Sequence, residues 1–410
     1  MKSDKTTPNV PTLRFAEFSD LWEHKQFDEV LLILANNTLS RAELNYDNGD
    51  YKDIHYGDVL IKYPAYIDVS STDVPYINTE NSSTKLNNAL LQNGDVVIAD
   101  TAEDFTVGKA TEIENVSAIK VVAGLHTIPC RPKMRFSPKY LGYYINSPAY
   151  HDQLVPFIQG VKVSSISKTH IRKTYLSFSS LLEQEKIANF LSCLDEKIKV
   201  QNKIISKYET LIKGIYHEFF SKPADYAIKI KDLIIKGKAG GTPSSTVARY
   251  YNGDIPFLSI SDMTKQGKYV SHTEKHISES GIEDSSAWIV PSNSLIFSMY
   301  ASVGLVCINT VPLATSQAMF SMVLKDCRMI EYIYYYLNFF RDTKIHRHIE
   351  TGTQSNINAE TVRNIEIPFQ SNCSKLVETL NSIEKRLNNE KDMLSLLVDL
   401  KAYLLSKLFI

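Results

Sequence analysis

Ten positions near the middle of the chain, separated alternately by four and three residues, carry Ile187, Leu191, Leu194, Ile198, Gln201, Ile205, Tyr208, Ile212, Ile215 and Phe219. Adding 189 to each number gives Leu376, Leu380, Ile383, Leu387, Glu390, Leu394, Leu397, Lys401, Leu404 and Leu408. Eight of the second ten are apolar, and the polar Gln201 and Glu390 fall at the same place in the two series. A mean spacing of about 3.5 residues keeps an apolar stripe facing one partner, so a seam this long predicts a coiled coil. No proline interrupts either stretch. Each seam covers about 33 residues, a rod about 50 Å long at 1.5 Å per residue. Such a stripe cannot be left in water, so the two helices are expected to cover each other.

The sequence around the seams also repeats. Tyr140-Leu141-Gly142-Tyr143-Tyr144-Ile145-Asn146 matches Tyr332-Ile333-Tyr334-Tyr335-Tyr336-Leu337-Asn338. Ser165-Ile166-Ser167-Lys168 through Lys173 matches Asn356-Ile357-Asn358-Ala359 through Asn364. Upstream, Gly94-Asp95-Val96-Val97-Ile98 parallels Ser292-Asn293-Ser294-Leu295-Ile296, and Val107-Gly108 parallels Val303-Gly304. The matches keep their order while their offset drifts, as loop insertions in two copies of one domain would produce. Outside the seams, short apolar runs follow Asp-containing turns, as in Gly57-Asp58-Val59-Leu60-Ile61 and Gly253-Asp254-Ile255-Pro256-Phe257-Leu258, and read as strands.

The predicted plan is a globular domain over 1–178, a long helix over 179–221, a globular domain over 222–370 and a long helix over 371–410. The fold class is α/β (α+β): two pseudo-repeated domains separated by a long antiparallel two-helix coiled coil. The second helix begins where the second domain ends, so its shortest route runs back along the first. That makes a strut with two related heads, suited to a partner with two recognition points a fixed distance apart. Duplex DNA is one such partner, since dimeric readers space half-sites by helical turns. A scaffold joining two protein-binding domains would look the same.

Composition narrows the class. With 410 residues, 43% hydrophobic and 22% charged, the chain can bury cores and is not disordered over most of its length. Lys+Arg is 45 against 46 for Asp+Glu, a net charge of -1, so any basic surface is local. No apolar stretch follows Met1-Lys2-Ser3-Asp4-Lys5, so no secretory signal is expected. The run Val30–Ala35 is far shorter than the roughly 20 residues of a membrane helix. The five cysteines form no CxxC pair, which argues against a cysteine zinc site and for a reducing cytoplasm. None of the fifteen prolines is followed by another, so an amino-methylase core of the Asn-Pro-Pro-Tyr kind is missing. Neither GxGxxG nor GxxxxGK[ST] occurs. His346-Arg347-His348 reads as a basic surface turn, and Asp195-Glu196-Lys197 as an exposed charge cluster on the first helix. A binding protein with no catalytic residues and no metal site is expected.

Val10-Pro11-Thr12-Leu13-Arg14-Phe15-Ala16-Glu17-Phe18 through Trp22-Glu23, Glu183-Gln184-Glu185-Lys186-Ile187-Ala188, Gly240-Gly241-Thr242-Pro243-Ser244, Tyr250-Tyr251-Asn252-Gly253-Asp254-Ile255-Pro256-Phe257-Leu258 and Gly352-Thr353-Gln354-Ser355-Asn356-Ile357-Asn358 together resemble the specificity subunit of type I restriction-modification systems. The resemblance covers nearly the whole chain. It implies two target recognition domains that each read half of a bipartite double-stranded DNA target. It also implies helices that set the unread gap and dock two methyltransferase (modification) subunits, with restriction/translocase subunits outside. S-adenosylmethionine would belong to the methyltransferase, ATP and Mg²⁺ to the restriction subunit, and none to this chain. The first half departs from the pattern: it shows no clear Gly-Gly-Thr-Pro-Ser counterpart, and its loop is Gly160-Val161-Lys162-Val163-Ser164-Ser165.

Loops rich in Lys, Ser, Thr, Gln and Tyr supply phosphate contacts and base-edge hydrogen bonds. The candidates are Lys62, Tyr63, Lys109, Lys162, Ser164 and Ser165 in the first domain. In the second they are Lys238, Thr242, Ser244, Ser245, Tyr300, Ser302, Thr353, Gln354 and Ser355. Lys229, Lys231, Lys236, Lys238 and Arg249 against Asp232 make a modest basic patch of the kind phosphate binding needs.

Overall fold

A computed structural model describes residues 9–78, 80, 84–116, 120–160, 163–348 and 356–410. The chain forms two units. One holds the residues up to Asn202 together with Asp392–Ile410, and the other holds Lys203–Lys391.

Each unit carries the same five-stranded sheet. In the first its strands lie in the order Leu31–Ile33, Thr127–Pro132, Val96–Ala99, Ala110–Glu114, Tyr66–Asp68. In the second the order is Ile234–Ala239, Met319–Leu324, Ser294–Ser298, Val306–Asn309, Tyr269–Val270. Both sheets are antiparallel except for the last pair, which is parallel. A four-stranded sheet adjoins each, with a central strand (Tyr51–Ile54 or Ile255–Leu258) that has one parallel and one antiparallel neighbour. The strands that enter and leave each domain pair antiparallel, Glu23–Gln26 with Tyr175–Phe178 and Tyr226–Lys229 with Glu366–Phe369. The Tyr-rich repeats form the helices Tyr140–Ile145 and Ile330–Thr343, which pack into the core of their own unit.

The duplication predicted from sequence is therefore present, with one correction in register. Val96 faces the core that includes the first long helix, and Val97 faces the other side of the sheet. In the second unit Leu295 and Ile296 divide in the same way. Val96 thus corresponds to Leu295, one residue later than the matched motifs imply. Gly94 (φ 86) and Asn293 (φ 57) then coincide as the left-handed residues that enter the strand. Asn tolerates that conformation better than most side chains, which is how the glycine is replaced. Side chains alternate between faces with a period of two, so a one-residue slip would turn each strand inside out.

The long helices are Leu181–Phe220, of 40 residues, and Cys373–Lys407, of 35 residues. All seam positions named above are buried or half-buried, while most positions between them are exposed. In the first unit Ile187, Leu191 and Leu194 share a core with Leu404 and Leu408, and Ile198 and Leu397 pack against it. In the second unit Phe219 shares a core with Leu376 and Leu380, and Ile212 packs against it. Ile205 and Leu387 are also buried there, and Ile383 is half-buried. Within each unit the segments run antiparallel, and ion pairs flank the seam: Asp195–Lys401 at 2.5 Å in the first, Glu209–Lys391 at 2.9 Å in the second. Among the described residues no helix is long and apolar enough to cross a membrane.

Chain ends also close the first core. The Arg14 guanidinium donates two hydrogen bonds of 2.7 Å to the Glu183 carboxylate at the start of the first long helix. The Leu13 amide donates to the Lys407 carbonyl at 3.0 Å, and the Trp22 ring meets Phe409 edge-on.

Leu380 is 0% exposed and Leu396, on the same helix, is 64% exposed. Truncating Leu380 to Ala is expected to cost about 2–5 kcal/mol through lost burial and a residual cavity. Leu396→Ala should stay within about 0.5 kcal/mol. Denaturant unfolding of the two variants checks the difference.

Candidate nucleic-acid interface

One end of the five-stranded sheet gathers most of the candidates of the second unit, and the matching end in the first unit gathers Ser164 and Ser165. In the second unit four segments meet there through backbone hydrogen bonds: Gly240 N to Met319 O at 3.0 Å, Gly241 N to Thr315 O at 2.9 Å, Met299 N to Ala318 O at 2.7 Å and Ile357 N to Met299 O at 3.1 Å. The two glycines are dictated by close approach. A Cβ on Gly240 would lie 2.0 Å from the Thr315 carbonyl oxygen, and one on Gly241 would lie 2.3 Å from the Ala287 amide nitrogen. Thr242, held in this way, donates its hydroxyl to the side chain of Gln317. Lys238 lies exposed on the edge strand, with its ammonium 3.2 Å from the Ser286 carbonyl. Ser244 and Ser245 are exposed in the following turn, and the Ser244 and Thr246 hydroxyls are 2.8 Å apart. Tyr300 and Ser302 are exposed on the turn after strand Ser294–Ser298. The Ser302 carbonyl accepts the Ser298 hydroxyl at 2.5 Å, which tightens that turn. Lys238, Thr242, Ser244, Ser245, Tyr300 and Ser302 are thus brought to one end of the sheet.

The first unit repeats the construction with different side chains. Ser164 and Ser165 pair with Ala102 and Thr101, and Ile166 N donates to Asp100 O at 2.9 Å, the counterpart of Ile357 to Met299. Asn37 N donates to Ala123 O at 2.8 Å, as Gly241 does to Thr315. Asn36-Asn37-Thr38-Leu39-Ser40 therefore occupies the place of Gly240-Gly241-Thr242-Pro243-Ser244. The first half thus has a segment at the place of the motif, but it shares only the Thr and Ser with it. Sequence reasoning missed the polar groups this segment collects. Asn36 donates to Gly124 O at 3.3 Å and accepts from the Lys168 ammonium at 3.1 Å. His126 stands 3.3 Å from the Thr101 hydroxyl, its ring edge-on to Tyr56 at 5.3 Å. The faint Asn-Asn-Thr-x-Ser echo was the available signal.

Other candidates are placed elsewhere. Tyr63 is 1% exposed within an apolar cluster that includes Val59 and Ile67, so it cannot reach a groove as folded. Burial pushes its phenol far up. Lys62 gives its ammonium to the Asp73 carbonyl at 2.6 Å and the Asp73 carboxylate at 3.1 Å. Lys109 is half-buried and donates to Leu60 O at 2.7 Å, with burial lowering its pKa. Lys162, Thr353, Gln354 and Ser355 lie outside the described residues. Asp195 is not the free surface charge expected from composition: it accepts the Tyr143 hydroxyl at 2.7 Å and pairs with Lys401.

Behind Asn37 sits a buried carboxylate. Asp53 is 0% exposed, accepts from the Asn37 amide at 2.6 Å, and leaves its other oxygen without a hydrogen-bond partner. Burial raises its pKa to about 7.

The family model described as "Type I restriction modification DNA specificity domain" matches residues 19–210 and again 225–393. A stretch of 193 residues is 28% identical to the type I restriction enzyme MjaIX specificity subunit of Methanocaldococcus jannaschii, covering 46% of this chain and 44% of that one. Another of 200 residues is 32% identical to the HindI specificity subunit of Haemophilus influenzae, covering 45% and 43%. The alignments thus span less than half the length of these relatives. The fold is similar to a crystal structure of the type I restriction-modification S subunit from M. genitalium, with a TM-score of 0.53 at 14% identity over 98% of this chain and 99% of that one. A structure described by the complex assembly and conformational transition of the type I R-M system gives a TM-score of 0.55 at 14% identity, over 94% and 96%.

Because the folded Asp53 holds its proton up to about pH 7 while the unfolded side chain releases it near pH 4, the stability it supports is complete at acid pH and is lost as pH rises through 7. Asp53→Asn keeps an acceptor for Asn37 and removes the titration. The variant is expected to gain on the native chain between pH 5 and pH 8 by more than about 1 kcal/mol, read from denaturant midpoints at the two pH values.

Proposed function

The chain belongs to the family of type I restriction-modification DNA specificity domains, and from that premise we propose that it is the DNA-reading subunit of such a complex, with two heads that each read half of a bipartite target. The observation that carries the reading is the duplication itself: one fold twice, with the same sheet end twice presenting hydroxyl, amide and ammonium groups to solvent. These are the groups that bond phosphate oxygens and base edges. The heads correspond to 1–178 and 222–370, and the helices 179–221 and 371–410 form the spacer that sets the unread gap. Lys238, Thr242, Ser244, Ser245, Tyr300 and Ser302 are the proposed contacts of the second head. Ser164 and Ser165, joined by Asn36, His126 and Lys168, are those of the first. Lys62, Lys109 and Tyr63 support the fold instead.

The spacer also docks methyltransferase subunits. Met393, Leu396, Leu400 and Tyr403 recur at steps of three and four on the second helix and are all exposed, a second apolar stripe outside the seam. Apolar surface of this kind is the usual mark of a protein partner. Methyl transfer uses S-adenosylmethionine on that partner, and ATP and Mg²⁺ serve the restriction subunits. This chain supplies recognition and no catalysis, and the complex works in the cytoplasm.

Selection from random duplexes by the chain reconstituted with its methyltransferase is expected to enrich a two-part motif with one fixed gap. Salt-independent indifference to DNA would instead favour a protein scaffold. Lys238→Ala should weaken binding evenly across sequences and reduce the salt slope by about 1. Inserting seven residues into each long helix, about 10.5 Å of rod, should lengthen the preferred gap by roughly three base pairs at 3.4 Å each.

A further inference from the structure

Lys268 is a charged side chain only 8% exposed, and everything around it is built to hold a cation. The helix Ile260–Gln266 ends at Gly267, whose φ of 75 turns the chain, and the Lys268 carbonyl accepts from Ile308 N at 2.8 Å beside the five-stranded sheet. Its ammonium reaches Glu384 at 2.7 Å and Asn381 at 3.0 Å, both on the second long helix. It also reaches Tyr335 Oη at 2.8 Å and Glu331 at 3.1 Å on the helix Ile330–Thr343. The rings of Tyr335, Tyr269 and Tyr334 surround it at 4.5, 5.2 and 5.4 Å. Asn381 donates back to Glu331 at 2.6 Å, which closes the network. In a site that excludes most water, these charge-assisted bonds are strong and an unmatched carboxylate is costly.

The first unit has the same lock with a different key. Tyr143 and Asp195 stand where Tyr335 and Glu384 stand, and Tyr143 donates to Asp195 at 2.7 Å. The ammonium there is that of Lys401, 2.5 Å from Asp195 and 5.8 Å from the Tyr143 ring. Lys268 has no lysine counterpart in the first unit. Its place is taken by Ala65, whose carbonyl accepts from Glu112 N at 2.8 Å as that of Lys268 accepts from Ile308 N. A lysine from a domain loop in one unit and from a long helix in the other thus meets an equivalent acid and phenol.

We propose that Lys268 is a positioning residue for DNA reading: by tying the sheet and the Tyr-rich helix to Asn381 and Glu384, it fixes the angle of the second head on its own helix segment, and with it the gap length the protein accepts. The proposal rests on the DNA-reading function set out above. Its test is selection from random duplexes by the full chain with its methyltransferase, reading half-site bases and gap length separately. Lys268→Met removes the ammonium, and Lys268→Met with Glu384→Gln also removes the nearer of its two carboxylate partners, leaving Glu331 held by hydrogen bonds from Asn381 and Tyr269, so that a fold lost from a stranded Glu384 in the single variant is kept in the double. Lys268→Arg restores the cation. Both Met variants should retain the half-site bases while accepting gaps one base pair longer or shorter about tenfold more often, and Lys268→Arg should return to the single gap. Unchanged single-gap selection by the double variant overturns the proposal, even if its melting temperature falls. A native chain that selects no two-part motif overturns the DNA-reading function first.

Discussion

The burial of two long apolar stripes is the constraint from which the other features follow. Leu191 and Leu380 have no exposed surface, and each lies in a core that also contains a Tyr-rich helix and strands of a sheet. Burying one such side chain contributes about 1.5–3 kcal/mol. The stripes therefore belong to the cores of the globular domains as much as to a coiled coil. Within each unit, the helix segment cannot move without opening the core it completes. Within this frame, exposed loops at the sheet ends can differ between copies without loss of the fold.

Features averaged over many residues are legible in the sequence. The seam was read from ten positions with one consistent spacing, so the two polar places in the second series did not obscure it. The duplication is legible in the Tyr-rich helices and at Ile166 and Ile357, where the matching side chains are buried and fixed by packing. Features that depend on one residue's surroundings were not legible. The register of Gly94 is hidden in the sequence because its counterpart Asn293 adopts the same left-handed turn without being glycine. Asn36-Asn37 carries little of the motif's signal because side chains fit at both places, whereas Gly240-Gly241 has no room for a Cβ. Tyr63 looked like a surface tyrosine beside a lysine, and only the packing of Ile54, Val59 and Val97 around it says otherwise.

The two halves keep places and exchange occupants. An acid on the long helix and a phenol on the Tyr-rich helix recur, while the cation between them arrives from different parts of the chain. The backbone bond at Asn37 and Gly241 recurs, while the side chains around it do not. Geometry set by main-chain bonds and apolar contact tolerates such replacement, provided each buried charge still meets its partner.

The clasp between Leu13, Trp22 and the segment Lys407–Phe409 has a consequence for how the protein is made. Leu404, Leu408 and Phe409 belong to the core around Trp22, Tyr140 and Tyr144, although the whole of Lys203–Lys391 separates them in the chain. On the ribosome, residues 203–391 can fold once they have emerged. The earlier-born head must wait, its aromatic core uncovered, until residues 404–409 arrive to seal it. Order of synthesis and order of completion are reversed, and the first half emerges with apolar surface that only the last residues cover.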